Sequence, residues 1–271
     1  MIITYASMKG GVGKSTLSIL TATNLAARGH KTVFLDLDGN NSGTMFLTQG
    51  IENIAETIEI KNTFEALSHN NLDRNIIPSR IENLDIVPSN LNIYKLRSMG
   101  YNELQKTLKG YSDKYEYVVI DTAPTYDNIV INALSVGDCI ITPIQFSSFD
   151  FTTSKFLQKQ LYDDCPSQVG KWYLLYSDWQ QMFANYPETP QMQFVKYFEE
   201  NFRDGDGNTN ILDIHIPRAK AASDYTQIDR KISIRTKSST TERKLAIEIN
   251  RLVNMLTGAD ADDETKFAER F

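Results

Sequence analysis

Residues 1–16 read Met1-Ile2-Ile3-Thr4-Tyr5-Ala6-Ser7-Met8-Lys9-Gly10-Gly11-Val12-Gly13-Lys14-Ser15-Thr16, and they decide the fold. Ile2–Tyr5 is a short, apolar, β-favouring run. Residues 14–28 have helical spacing and stop at Gly29, a residue suited to the left-handed position after a helix. Between strand and helix lies a glycine turn. Without Cβ atoms in the way, successive backbone N–H groups there can converge on phosphate oxygens. The helix behind adds the positive end of its dipole. In such a turn Lys14 reaches the terminal phosphates, Ser15 offers a hydroxyl to a divalent metal, and Thr16 faces the α-phosphate side.

Outward from this turn, apolar runs alternate with helical patterns. Strands are expected at 2–5, 32–35, 84–87, 117–120, 139–142, 172–176 and 212–216. Several of them are apolar almost throughout, as in strands covered on both faces. Helices are expected at 14–28, 130–136, 152–161 and 193–202. A last helix begins at the capping box Ser239-Thr240-Thr241-Glu242, with Leu245, Ile249, Leu252 and Leu256 on one face that should pack on the sheet. The pattern predicts an α/β protein with a mostly parallel, doubly wound central sheet and helices on both faces. The 271 residues suit one domain over 1–258, with an acidic, flexible tail over 259–271.

Two apolar strands end in acids. One is Val33-Phe34-Leu35-Asp36-Leu37-Asp38. The other is Tyr117-Val118-Val119-Ile120-Asp121-Thr122-Ala123-Pro124. Carboxylates at the C-terminal ends of parallel strands lie on the ligand side of such sheets. Each alone could be a loop-start cap. Together, behind a phosphate loop, they point to a metal–phosphate site.

The general phosphate-loop pattern places glycine where Met8 stands here. The segment from Lys9 to Thr16 instead resembles the deviant loop KGGxGK[ST][ST] of ParA/MinD-type ATPases, and matches it completely. The 33–38 segment resembles that family's DxD motif and the 117–124 segment its Walker B strand. Residues 83–89, the strand with Pro143, and Ile216-Pro217-Arg218 resemble its later motifs in order. The resemblance implies a P-loop fold of the SIMIBI type, Mg-ATP as ligand, and a homodimer with ATP sandwiched between subunits. It further implies that Lys9 crosses to the partner's nucleotide, that Asp38 positions the attacking water, and that Asp36 supports the Mg²⁺ shell. Asp121 would hold Mg²⁺ through a water, and Pro217 would lie near the adenine. The loop residues Lys9, Gly10, Gly11, Val12, Gly13, Lys14, Ser15 and Thr16 would contact nucleotide. No helix-turn-helix precedes the loop, so the shorter ParA forms are the better match. Those proteins partition plasmids or chromosomes: the ATP dimer binds DNA without sequence preference, and a ParB-like centromere-binding partner triggers hydrolysis. A cytoplasmic protein, nucleoid-associated when ATP is bound, is the expectation.

Two departures stand out. The family usually follows its DxD with Pro-Gln, whereas Gly39-Asn40 stand here. An arginine expected after the 172–176 strand is replaced by Ser177-Asp178-Trp179-Gln180-Gln181.

The net charge of −6 is unevenly spread. Residues 218–251 hold nine basic and four acidic side chains, net +5, which leaves −11 elsewhere. Arg218, Lys220, Arg243, Lys244 and Arg251 are candidates for DNA phosphates. A MinD-like membrane cycle would need a basic amphipathic terminal helix; residues 257–271 carry five acidic and two basic residues, so no membrane partner is expected. Another cargo-positioning ATPase, a metabolic P-loop enzyme related to cobyrinate synthases, and a non-catalytic nucleotide-gated scaffold are the alternatives. Asp204, Asp206 and Asn208 lack the glycine and the closing glutamate of a calcium loop. Cys139 and Cys165 fit no zinc or iron–sulfur spacing and are expected to be buried thiols.

Overall fold

The computed structural model describes residues 1–180, 188–203, 210–218 and 240–259. Its centre is an eight-stranded sheet in the order β3-β4-β2-β5-β1-β6-β7-β8. The strands are β1 (Ile2–Tyr5), β2 (Thr32–Leu37), β3 (Ile77–Pro78), β4 (Leu84–Val87), β5 (Tyr117–Thr122), β6 (Cys139–Ile144), β7 (Trp172–Trp179) and β8 (Ile211–Pro217). Every pairing is parallel except β3 with β4. The doubly wound α/β reading is therefore borne out, and all seven expected strands are present. The eighth, β3, is two residues long and ends in proline at the sheet edge, where a missing N–H costs no ladder bond.

The helices are α1 (Lys14–Ala27), α2 (Ser42–Leu47), α3 (Ile54–Ile60), α4 (Thr63–Ser68), α5 (Glu103–Thr107), α6 (Asn128–Val136), α7 (Ser148–Asp164), α8 (Pro190–Asn201) and α9 (Thr240–Thr257). Short 3-10 turns cover Leu91–Leu96, Tyr111–Asp113 and Pro166–Lys171. Alternation along the strands feeds two apolar layers. Ile3, Tyr5, Phe34, Val119 and Ile141 pack under α1 and α9. Val33, Leu35, Val118 and Ile120 pack under α4, α5 and α6, and Ile140, Ile144 and Leu174 under α6, α7 and α8.

The C-terminal helix packs as its spacing predicts. Leu245, Ile249, Leu252 and Leu256 are all buried, in one cluster with Ile214 and Ile216 of β8 and Leu25 of α1. Gly29 has φ +89° and its N–H donates to the Ala26 carbonyl at 2.9 Å, closing α1. Cys139 and Cys165 are free and buried. Ser239 of the capping box, the 204–209 stretch and the tail beyond Ala259 lie outside the described residues.

Strand order positions the site. From β1 the chain goes first to one side of the sheet, to β2 and β4, and later to the other, to β6, β7 and β8. The crevice at such a switch point takes the ligand. It sits where β1, β5 and β2 end side by side, with Tyr5 opposite Asp121 and Asp121 opposite Asp36.

Candidate functional site

The loop between β1 and α1 has the backbone its glycines predict. Gly11 has φ +75° and Gly13 φ +95°, values that L side chains adopt only with strain. A Cβ at either position would meet nothing within 4 Å, so the requirement for glycine there is the backbone conformation rather than space. No side chain caps the first turn of α1 and no acid lies in it, which leaves its N–H groups and its dipole end free for an anion.

Side chains from β6 and β7 brace this turn. The Ser177 hydroxyl donates to the Val12 carbonyl at 2.9 Å. The Gln145 amide donates to the Gly11 carbonyl at 3.4 Å. The Lys14 ammonium is 6% exposed and donates to the Lys9 carbonyl at 3.2 Å. Burial lowers its pKa, against the pull of Asp121 and Asp38.

The three carboxylates differ. Asp36 is fully buried and saturated. Its Oδ2 accepts from the Thr44 N–H at 2.8 Å and the Thr44 hydroxyl at 2.7 Å. Its Oδ1 accepts from the Asp38 N–H at 3.1 Å. The Thr44 hydroxyl in turn accepts from the Ser89 N–H at 2.8 Å, tying β2 to the end of β4. Asp36 thus shapes the 36–44 loop from behind the site. Asp38, 7% exposed, takes the Asn40 N–H on Oδ1 at 2.9 Å.

Asp121 is the contrast. It is fully buried, and no backbone N–H donates to either carboxylate oxygen; the Ser15 hydroxyl is the donor that bears on it. Burial, with Asp36 adding to it, pushes its pKa up to about 8 against the opposing Ser15 hydroxyl and Lys14 ammonium. Asp36, also buried but well donated to, is pushed only to about 6. A buried carboxylate so short of donors is costly, and beside a phosphate loop a cation would satisfy it. Among the described residues no three His, Cys, Asp or Glu side chains converge into a cage.

A stability consequence follows. An unfolded Asp121 titrates near 3.8, the folded one near 8. Between those values folding takes up a proton, so the nucleotide-free protein loses stability as pH rises through the window. Asp121→Asn removes that loss. Its melting temperature at pH 8 should exceed the wild type's, by roughly 2–4 °C for each kcal/mol relieved, and the gap should be smaller at pH 5, closing only below the unfolded value of 3.8. Differential scanning calorimetry at the two pH values checks this.

Lys9 was expected to reach across a dimer. In this chain it lies along its own subunit. Its ammonium pairs with Asp150 Oδ2 at 2.7 Å and donates to Gln145 Oε1 at 3.2 Å and the Ser147 hydroxyl at 3.4 Å. Asp150 is 1% exposed on its side chain and also accepts the Gln145 N–H at 3.1 Å and the Ser147 hydroxyl. Sequence reasoning missed this partner. Its signal was Ser147-Ser148-Phe149-Asp150, a capping box that starts α7 four residues before the expected helix; the Ser147 hydroxyl accepts the Asp150 N–H at 3.2 Å.

The candidate DNA residues scatter. Arg218 pairs with Asp178 at 3.5 Å, next to Pro217 at the end of β8. Arg251 pairs with Glu248 at 3.1 Å and Asp213 at 3.4 Å. Arg243 is exposed on α9. Lys220 and the basic residues 230–237 lie outside the described residues. No described helix is long and apolar enough to cross a membrane.

A family described as AAA domain matches residues 1–161. The chain is 33% identical over 156 residues to the virulence plasmid ParA family protein pGP5-D of Chlamydia psittaci, covering 54% of this chain and 58% of that protein. It is 29% identical over 153 residues to the chromosome partitioning protein ParA of Myxococcus xanthus, covering 53% and 52%. The chain spans about half to three fifths of the length of the curated relatives it matches. A plasmid partition protein of Borrelia burgdorferi, bound to AMPPNP, superposes with a TM-score of 0.72 at 22% identity, over 96% of this chain and 98% of that one.

Proposed function

The chain belongs to the AAA-domain family and is a ParA/MinD-type P-loop ATPase, and on that premise we propose that it binds Mg-ATP, dimerises around it and drives DNA partitioning. The observation that carries the reading is the fully buried Asp121 carboxylate, without a backbone donor and beside the Ser15 hydroxyl, set in register between the phosphate-loop strand and the DxD strand.

In this reading the 10–15 turn and Lys14 bind the triphosphate, with Thr16 on the α-phosphate side and Pro217 beside the base. Ser15 and Asp121 would hold magnesium, and Asp36 would support them by fixing the 36–44 loop. Magnesium, when bound, supplies charge neutralisation on the β- and γ-phosphates. Asp38 orients the attacking water. Hydrolysis then rests on positioning and electrostatics rather than on covalent participation.

Lys9 contributes in the dimer. To reach a partner's nucleotide it must leave Asp150, so the pair holds the lysine at home until ATP supplies a stronger anion. The ATP dimer binds DNA non-specifically through basic side chains such as Arg243 and Lys244, with Arg218, Lys220 and Arg251 as further candidates. A ParB-like protein on the centromere stimulates turnover and release.

The experiment is paired. Light scattering should show dimer with Mg-ATP and monomer with ADP. ATP-dependent retention on DNA should fall steeply between 50 and 200 mM salt, by about 10³-fold for six phosphate contacts. A monomer under both nucleotides would remove the sandwich, and retention indifferent to salt and nucleotide would remove the DNA surface.

A further inference from the structure

The Gly39-Asn40 departure has a structural partner. Gly39 is buried directly after Asp38, and a Cβ built there would stand 2.5 Å from Cε2 and Cζ of Tyr94 and 2.8 Å from its hydroxyl. The Tyr94 ring therefore rests on the bare backbone of Gly39, a contact that any side chain at 39 would forbid. A second group contacts the ring. The Arg97 guanidinium lies 4.4 Å from the ring centroid, and its Nε pairs with Asp127 Oδ2 at 3.4 Å.

Asp127 is itself fixed. It caps α6 by accepting the Ile129 N–H at 3.1 Å and the Val130 N–H at 3.3 Å. The Asn128 N–H donates to the Arg97 carbonyl at 3.2 Å, and the Asn128 amide to the Met99 carbonyl at 2.6 Å. The Tyr94–Met99 segment is thus pinned to the helix that follows Asp121. The 38–41 turn is closed by Asn40 N–H to Asp38 Oδ1 at 2.9 Å and Asn41 N–H to the Asp38 carbonyl at 2.9 Å, and is tied back to β2 by the Asp38 N–H on Asp36 Oδ1.

We propose that Tyr94 is the positioning residue for Asp38: its ring, in contact with both the Arg97 guanidinium and the Gly39 backbone, fixes the turn that aims the water-orienting carboxylate and couples it to the start of α6. A proline after the DxD would stiffen this turn through its own φ. Here glycine leaves the turn free, and the ring that glycine admits supplies the restraint from outside. Tyr94 also faces Asp38 electrically. After burial, that carboxylate is the next largest influence raising the pKa of the Tyr94 hydroxyl, so the group stays protonated and can donate to it. Misplacing a catalytic group by about an ångström costs up to ~100-fold in rate, so a restraint on Asp38 should be visible in turnover.

This inference rests on the water-orienting role of Asp38, and the experiment separates the two. Single-turnover hydrolysis of radiolabelled Mg-ATP by the full chain is measured for wild type, Asp38→Ala, Tyr94→Ala, Tyr94→Phe, Gly39→Ala and the Tyr94→Ala/Gly39→Ala pair, with ATP affinity and melting temperature measured alongside. Tyr94→Ala and Gly39→Ala should each slow hydrolysis about tenfold while ATP affinity stays within twofold. Tyr94→Phe, which keeps the ring, should stay within about threefold of wild type. The double variant should be no slower than the worse single variant, because the two changes act on one contact. Wild-type hydrolysis by Tyr94→Ala, or a loss matched by an equal loss of ATP affinity, overturns the proposal. Wild-type hydrolysis by Asp38→Ala overturns the Asp38 role instead.

Discussion

Lys14→Ala abolishes ATP binding. The Lys14 ammonium is held in the crevice at the mouth of the glycine turn, nearly buried and supported by Asp121 and Asp38. A cation there is largely stripped of water, and phosphate oxygens are the ligands that would repay that desolvation. Truncating one partner of such a buried, hydrogen-bonded charge pair costs roughly 2–5 kcal/mol, or about 30- to 5,000-fold in affinity. Calorimetric titration with Mg-ATP should therefore show no measurable heat for the variant at concentrations that saturate the wild type. The fold should persist, since Lys14 makes a single hydrogen bond to the Lys9 carbonyl, and circular dichroism provides that control. A variant that keeps wild-type affinity would remove Lys14 from the phosphate site.

Asp38→Ala has the opposite signature: ATP stays bound and is not consumed. Asp38 is not in the phosphate turn, and its Oδ1 is engaged by its own loop at Asn40. Its loss should leave affinity within a few-fold. Groups that orient or deprotonate a nucleophile contribute about 10²–10⁴ in rate, and turnover should fall by that factor. The ATP-bound dimer should then persist on a sizing column long after the wild-type complex has decayed. Unchanged hydrolysis would assign the water to another group.

These two results rest on residues that were legible in the sequence, and the reason is local. The phosphate turn, Asp36, Asp38 and Asp121 each sit at a strand end inside a contiguous apolar-then-polar segment, so pattern alone places them. The seven long strands were legible for the same reason. What the sequence hid is contact across distance. Asp150 is 141 residues from Lys9, and no local pattern ties them. Tyr94 reads as an ordinary aromatic until the fold lays its ring on Gly39. The difference between Asp36 and Asp121 was invisible too: both end apolar strands, but Thr44 and the Asp38 N–H satisfy only the first.

Between β2 and β5 the reading was thinner. Only β4 was expected there, whereas the chain also builds α2 to α5 and β3. These helices have five to seven residues, too short to show a helical period. They are held by side-chain caps and tertiary bonds instead. Asn62 caps α4 by accepting the Glu65 N–H at 3.0 Å, and Asn132 of α6 accepts the Leu104 N–H of α5 at 3.0 Å. Such helices owe their existence to packing more than to propensity.

The most direct test is a crystal structure of the chain grown with AMPPNP and manganese, with anomalous data collected at the manganese edge. The account predicts triphosphate density wrapped by the backbone amides of residues 10–15, Lys14 on its terminal end, and one anomalous peak between the Ser15 hydroxyl and Asp121. Nucleotide bound elsewhere, or a filled turn with the metal peak away from Asp121, would contradict it.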